Sequence, residues 1–237
     1  MLVAERPRLC RAASIAVCFA LQAALPTAGA KPLWCADAEL RNVAMSADGR
    51  WLMMTTPSSP SLSLFDADLN PIRTYSVATR DGKATSVVYA VYDAPVRRSF
   101  IVVLQDIAEL WEVSYDPKAE PIYDGLVHDY RMGEAIAKSG FLGVRRVPLK
   151  EPLRDLFFDA SYRHAVSISR NKPDGKLYAN VINLDVRRSI GGAILQEPVP
   201  AVAGFTVTWN SGTVTATHGP AESKKASDDA VRRYCAP

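Results

Sequence analysis

The sequence predicts an all-β fold, a partial β-propeller of about three and a half to four blades, each blade a four-stranded antiparallel sheet. Three observations carry this. Short apolar runs alternate with turns rich in Asp, Gly, Asn and Pro from Asn42 onward. The runs come in groups of four, and the first two groups start about 45 residues apart. Hydrophobic residues make up 48% of the 237 positions, enough for a sizeable core.

Strands of the first group are expected at 42–45, 51–56, 62–65 and 72–77. Ser46-Ala47-Asp48-Gly49-Arg50 is the first turn, with Asp-Gly as its hairpin signal. Asp66-Ala67-Asp68-Leu69-Asn70-Pro71 is the last. The second group is expected at 87–91, 99–104, 109–113 and 121–123, with turns at 92–98 and 115–118. The third is expected at 156–158, 165–169, 177–183 and 189–194. A fourth begins at 205–209, turns at Asn210-Ser211-Gly212 and continues through 213–217. Residues 31–220 thus form the propeller region, and 221–237 a polar tail, read as a helix or as disordered. Trp34, Trp51, Trp111 and Trp209 read as core or inter-blade packing.

Residues 1–30 stand apart. Arg6, Arg8 and Arg11 form a basic start, 12–25 is mostly apolar, and Ala28-Gly29-Ala30 offers small residues for cleavage. This is the pattern of a Sec-type signal peptide, and the apolar run is short for a membrane span. Export with cleavage follows, with no membrane association afterwards; the alternative is an uncleaved anchor. Removing 1–30 takes away three Arg and one Glu, so the net charge falls from +3 to +1. Neither value is a nucleic-acid footprint.

Cys10 and Cys18 leave with the signal; Cys35 and Cys235 stay. In an exported chain they can form a disulfide closing a loop of about two hundred residues, or remain two free thiols. No CxxC or HExxH pattern supports zinc, and no GxSxG, P-loop or Rossmann glycine pattern is present.

The stretch from Asp124 to Arg146, DGLVHDYRMGEAIAKSGFLGVRR, is the chemically dense part of the chain. It is too polar for core and longer than a hairpin needs, and such loops carry function on rigid scaffolds. Arg131, Arg145 and Arg146 can clamp carboxylates. His128 can move a proton or meet a metal near neutral pH, with Asp129 or Glu134 as a hydrogen-bonded partner. The same residues also fit a solvated loop with a helical turn at 132–138. The spacing reads as an insertion between adjacent blades, where connections line the central channel. His164 and His218 read as surface residues, and Asp106 and Glu109 as shaping a turn.

The segments Glu109-Leu110-Trp111-Glu112-Val113-Ser114-Tyr115-Asp116-Pro117, Leu126-Val127-His128-Asp129-Tyr130-Arg131-Met132-Gly133-Glu134, Phe157-Phe158-Asp159 and Asn183-Leu184-Asp185-Val186-Arg187-Arg188 stand out. Together they resemble the NirF family of haem d1 biosynthesis proteins and, more distantly, the haem-binding propeller of cytochrome cd1 nitrite reductase. The resemblance runs from about Asn42 to Thr217. It implies an eight-bladed periplasmic propeller, a haem d1 or d1-precursor cofactor, and a role in maturing that cofactor for denitrification. It implies His128 as metal ligand or, with Glu134, as catalytic acid–base. Arg131, Arg145 and Arg146 would hold the tetrapyrrole carboxylates. Other haem d1 maturation proteins or nitrite reductase are the implied partners.

Two departures matter. Propellers usually close with about four to eight blades, and fewer are seen here. The chain therefore either assembles with a second copy that closes the ring, improvises a closing blade, or is a shortened relative. The later pocket histidine of the family also has no counterpart before Phe205. The alternative function is a non-catalytic propeller fragment acting as an interaction or assembly module.

Overall fold

A computed structural model describes residues 43–55, 59–123, 137–169, 176–195 and 203–221, together with Lys225, Asp228 and Asp229. Among these residues, three successive four-stranded antiparallel sheets and a two-stranded hairpin are formed. Blade I contains β1 (Val43–Met45), β2 (Trp51–Met54), β3 (Ser61–Asp66) and β4 (Pro71–Ser76). Blade II contains β5 (Val88–Ala94), β6 (Ser99–Leu104), β7 (Glu109–Ser114) and β8 (Val144–Pro148). Blade III contains β9 (Leu156–Phe158), β10 (His164–Ser169), β11 (Leu177–Asn183) and β12 (Arg188–Leu195). The hairpin is β13 (Phe205–Trp209) and β14 (Gly212–Ala216). In every blade the strands pair in chain order. This is the partial propeller that the sequence predicts.

The blades stack because their middle strands are apolar on both faces. All six residues of β6 are buried. Its side chains alternate with the period of a strand. Phe100, Val102 and Leu104 turn to blade I, where they meet Met53, Leu62 and Leu64. Ile101 and Val103 turn to blade III, where they meet Leu156, Phe158 and Ala165. In β9 the same rule sends Phe157 the other way, into a cluster with Val207, Val214 and Ala216 of the hairpin. A fourth cluster, Val43, Leu52 and Met54, lies on the flank of blade I away from blade II.

The hairpin lies across blade III. Phe205 meets Phe157 of β9 edge-on, with ring centroids 4.9 Å apart. At its other end Trp209 sits against Gly191 of β12, where a Cβ would run into the indole. Beyond it, the chain returns to the inner strand: Phe158 N–H donates to the His218 carbonyl at 2.8 Å. Pro220, Ala221, Lys225, Asp228 and Asp229 have helical backbone.

One strand is not where the sequence predicts it. The outer strand of blade II is β8, not 121–123. Ile122 forms only an isolated bridge, to Lys138. The polar stretch beginning at Asp124 is therefore the connection between the third and fourth strands of blade II, not an insertion between blades, and Arg145 and Arg146 lie inside β8. Antiparallel order makes this matter. Connections between strands one and two, and three and four, leave at one end of a blade, here the lower end. Those between strands two and three, and between blades, leave at the upper end. The insertion belongs to the lower end.

Candidate functional site

The lower-end insertion has a well-held base. Ile122 and Lys138 exchange both main-chain hydrogen bonds, each 2.9 Å, across its neck. The returning chain is fixed to two blades. Leu142 N–H donates to the Ser114 carbonyl at 2.7 Å. The Leu142 carbonyl accepts from Arg73 at 2.9 Å and Tyr75 at 3.0 Å, both from the outer strand of blade I. Gly140 lies against the carbonyls of Ala119 and Glu120, leaving no room for a side chain. His128, Arg131 and Glu134, together with Asp129, fall in 124–136 and lie outside the described residues, as do residues 1–42, Cys35 and Cys235.

Beside this neck is a polar cavity of about 380 Å³, within the range of small-ligand sites. It lies between blades II and III, and its charged lining includes Arg97, Glu112, Asp116, Lys118, Arg145 and Arg187, with Glu120 and Asp185. Its wall is an ion network. The Glu112 carboxylate accepts from Nε and Nη2 of Arg97 at 2.9 and 3.2 Å. Arg97 Nη1 also meets Asp185 of blade III at 2.6 Å, and Asp185 in turn holds Arg163 at 2.9 Å. Burial opposes the charge of Arg97, but Glu112 and Asp185 more than offset it and hold the guanidinium above its ordinary pKa. Arg98, in left-handed backbone after the Pro95–Arg97 turn, pairs with Asp116 at 3.1 Å.

The two predicted arginines of β8 part company. Arg145 lines the cavity, and its guanidinium donates to the Glu120 carbonyl. Arg146 is turned to the opposite face and is committed. It pairs with Glu109 at 2.6 Å, donates to the Ala78 carbonyl at 2.9 Å, and stacks on Trp111 with 4.6 Å to the ring centroid. The expectation of Arg146 as a ligand clamp is corrected: adjacent strand residues face opposite ways, and its face is the seam with blade I.

Other sequence candidates resolve into structure. Asp106 accepts from Ser86 and from Val87 N–H, both at 3.3 Å, closing the upper end between blades I and II. His164, expected at the surface, is half-buried, with Nδ1 3.0 Å from Asp159 and Nε2 3.3 Å from Asn183. That contact and the hydrogen bonds from Ser161 and the His164 N–H lower the Asp159 pKa against its burial. His218 packs on the Tyr162 ring at 4.9 Å. At the seam of blades I and II, Asp93 accepts from Tyr115 Oη at 2.8 Å and from the Ala47 N–H. Burial pushes its carboxyl up to about 6 despite these bonds. No group of three or more metal-ligating side chains occurs among the described residues. Nor is any described helix long and apolar enough to cross a membrane.

Sequence reading missed Lys118 and Arg187. The signal was an internal repeat: Asp116-Pro117-Lys118 and Asp185-Val186-Arg187 occupy the same connection, after strand three, in adjacent blades. Packing the blades brings both cations to one cavity.

Residues 35–124 match the model of the Cytochrome D1 heme domain family, a match that stops before His128. The chain is 34% identical over 146 residues to dihydro-heme d1 dehydrogenase of Pseudomonas aeruginosa. That alignment covers 61% of this chain and 24% of the relative. A solved structure of dihydro-heme d1 dehydrogenase NirN in complex with DHE superposes with a TM-score of 0.51 at 30% identity, over 65% of this chain and 28% of that one. The chain thus spans about a quarter of the length of the relatives it matches. Its three consecutive four-stranded blades have the architecture of a partial β-propeller, and part of the chain is similar to cytochrome d1 heme-domain proteins.

Proposed function

We propose that this protein binds haem d1 or a d1 precursor and acts, as NirF-type proteins do, in the biosynthesis of that cofactor. The similarity over 146 residues to a dihydro-heme d1 dehydrogenase carries the reading. In the same proposal residues 1–30 are a signal peptide, 31–220 the propeller region and 221–237 a tail, and the mature protein works in the periplasm for denitrification. Haem d1 maturation proteins or nitrite reductase are its proposed partners, and a second copy can close the ring.

The described cavity fits the rim of such a ligand. It is polar and cationic at Lys118, Arg145 and Arg187, which suits the carboxylate side chains of a tetrapyrrole. Its lining does not supply the apolar walls that the macrocycle plane needs. His128 and Arg131, on the adjoining insertion, are assigned to the iron side and to a further carboxylate. Glu134 is assigned to orient His128 or to exchange its proton. A bound iron tetrapyrrole supplies the redox-active metal and the visible chromophore; the chain supplies charge, orientation and proton control.

The test is a titration of the mature protein with haem d1 followed by visible absorption, beside His128→Ala. A saturable spectral shift that the variant loses supports the reading. Folded wild-type protein that gives no shift at tens of micromolar ligand ends it.

A second reading is a non-catalytic assembly module. It requires a self-associated species in sedimentation and no pigment binding.

A further inference from the structure

We infer that the cavity between blades II and III is a binding subsite for a polycarboxylate, with Lys118, Arg145 and Arg187 as its cations. This rests on the charge account of the cavity and deepens the tetrapyrrole reading without requiring it.

Four acids lie in the lining: Glu112, Asp116, Glu120 and Asp185. Three are already committed to arginines. Glu112 is held bidentately by Arg97, Asp116 by Arg98, and Asp185 by both Arg97 and Arg163. Glu120 makes no ion pair among the described residues. Against it stand Lys118, Arg145 and Arg187, which also make none among the described residues. The four cations and four acids of the lining balance, but Arg98 and Arg163 take up Asp116 and Asp185 from outside it, and counting these two arginines leaves a surplus of two positive charges.

Arg145 shows that this surplus is built in. Its cross-strand partner in the β7–β8 ladder is Glu112, a position where opposite charges normally attract. Glu112 is taken by Arg97 instead. Arg145 is left with a neutral partner, the carbonyl of Glu120, which aims its guanidinium without cancelling its charge. Arg187 is carried at φ 54° in the tight turn between β11 and β12. Lys118 stands in the matching connection of blade II. Two connections of adjacent blades and one strand thus bring cations to one cavity.

Arginine forks suit carboxylates, and lysine adds a mobile point charge. The surplus of two calls for a ligand with at least two carboxylates. That chemistry has two sources, the side chains of a tetrapyrrole or a free small polycarboxylic acid.

Calorimetric titration of the mature protein with citrate at low ionic strength tests the assignment, with inorganic sulfate as the comparison anion. Citrate is expected to bind with a Kd of about 1 mM or tighter. Lys118→Gln with Arg187→Gln is expected to weaken it at least about tenfold, whereas Lys118→Arg with Arg187→Lys retains binding. Glu120→Gln is expected to tighten it. Thermal melts of each variant establish that it is folded. If added haem d1 competes with citrate, the cavity holds tetrapyrrole carboxylates; if haem d1 binds elsewhere or not at all, the subsite serves a free acid. No citrate binding by folded protein, binding matched by sulfate, or binding indifferent to the double Gln variant overturns the inference. Citrate binding by wild-type protein that gives no haem d1 shift, or a haem d1 shift by protein that binds no citrate, tells failure of the haem d1 reading from failure of this one.

Discussion

Glu112 faces Arg145 across the β7–β8 ladder, yet gives its carboxylate to Arg97. The choice joins two blades. Arg97 sits in the turn before β6 and reaches on to Asp185 of blade III, so one guanidinium ties blade II to its neighbour. The side chains of Glu112 and Arg97 are 6% and 17% exposed, so the pair is largely removed from water. It also frees Arg145 for the cavity.

Breaking that pair from one side leaves a buried charge. Arg97→Met is expected to cost about 3 kcal/mol, because Glu112 then stays desolvated without a partner. Arg97→Met with Glu112→Met is expected to recover much of the loss. Urea midpoints of the two variants check this; equal destabilisation by single and double variants would refute it.

Asp93 gives the fold a pH signature. Its folded pKa, about 6, lies above the ordinary carboxylate value of 3.8. The folded state therefore binds the extra proton, and the Asp93 contribution is favourable below about pH 4 and is lost as pH rises through 6. Asp93→Asn keeps an acceptor for Tyr115 and removes the titration. The variant is expected to be more stable than wild type at pH 7 and to flatten the difference in melting temperature between pH 4 and 7. A variant less stable at pH 7 would show that the charged form is the one the seam favours.

Arg145 and Arg146 are neighbours with different work. Arg146→Gln is expected to lose about 1–2 kcal/mol, from the Glu109 pair and the Trp111 stack. Arg145→Gln is expected to change stability by about 0.5 kcal/mol or less. Chemical denaturation of the two variants separates them, and equal losses would contradict the assignment of Arg146 alone to the seam.

Gly191→Ala tests the hairpin. The added methyl would meet Cγ, Cδ1 and Nε1 of Trp209, and overpacking of this kind costs about 1–3 kcal/mol. Faster proteolysis within β13–β14, at unchanged protection of blades I and II, is the expected readout.

The blades were legible from residue pattern alone wherever apolar alternation and turn chemistry agree. β6 is apolar on both faces and could be read directly as a strand buried on both sides. The Ser46–Asp48 turn was equally legible: Ser46 Oγ donates to Asp48 at 2.6 Å and accepts the Trp51 N–H. Blade III repeats it with the roles exchanged, Ser161 donating to Asp159 and Asp159 accepting the His164 N–H. Such turns depend on residues within reach of one another in sequence, so their residue types suffice. The fourth strand of blade II was not legible in this way and is set by packing. Val144-Arg145-Arg146-Val147-Pro148 is too charged to announce a strand, and it becomes one because the open edge of β7 needs main-chain partners. That pairing moved the insertion to the lower end, turned Arg146 into the seam and Arg145 into the cavity. Lys118 and Arg187, far apart in the chain, share that cavity because blade stacking fixes distances that no local pattern encodes.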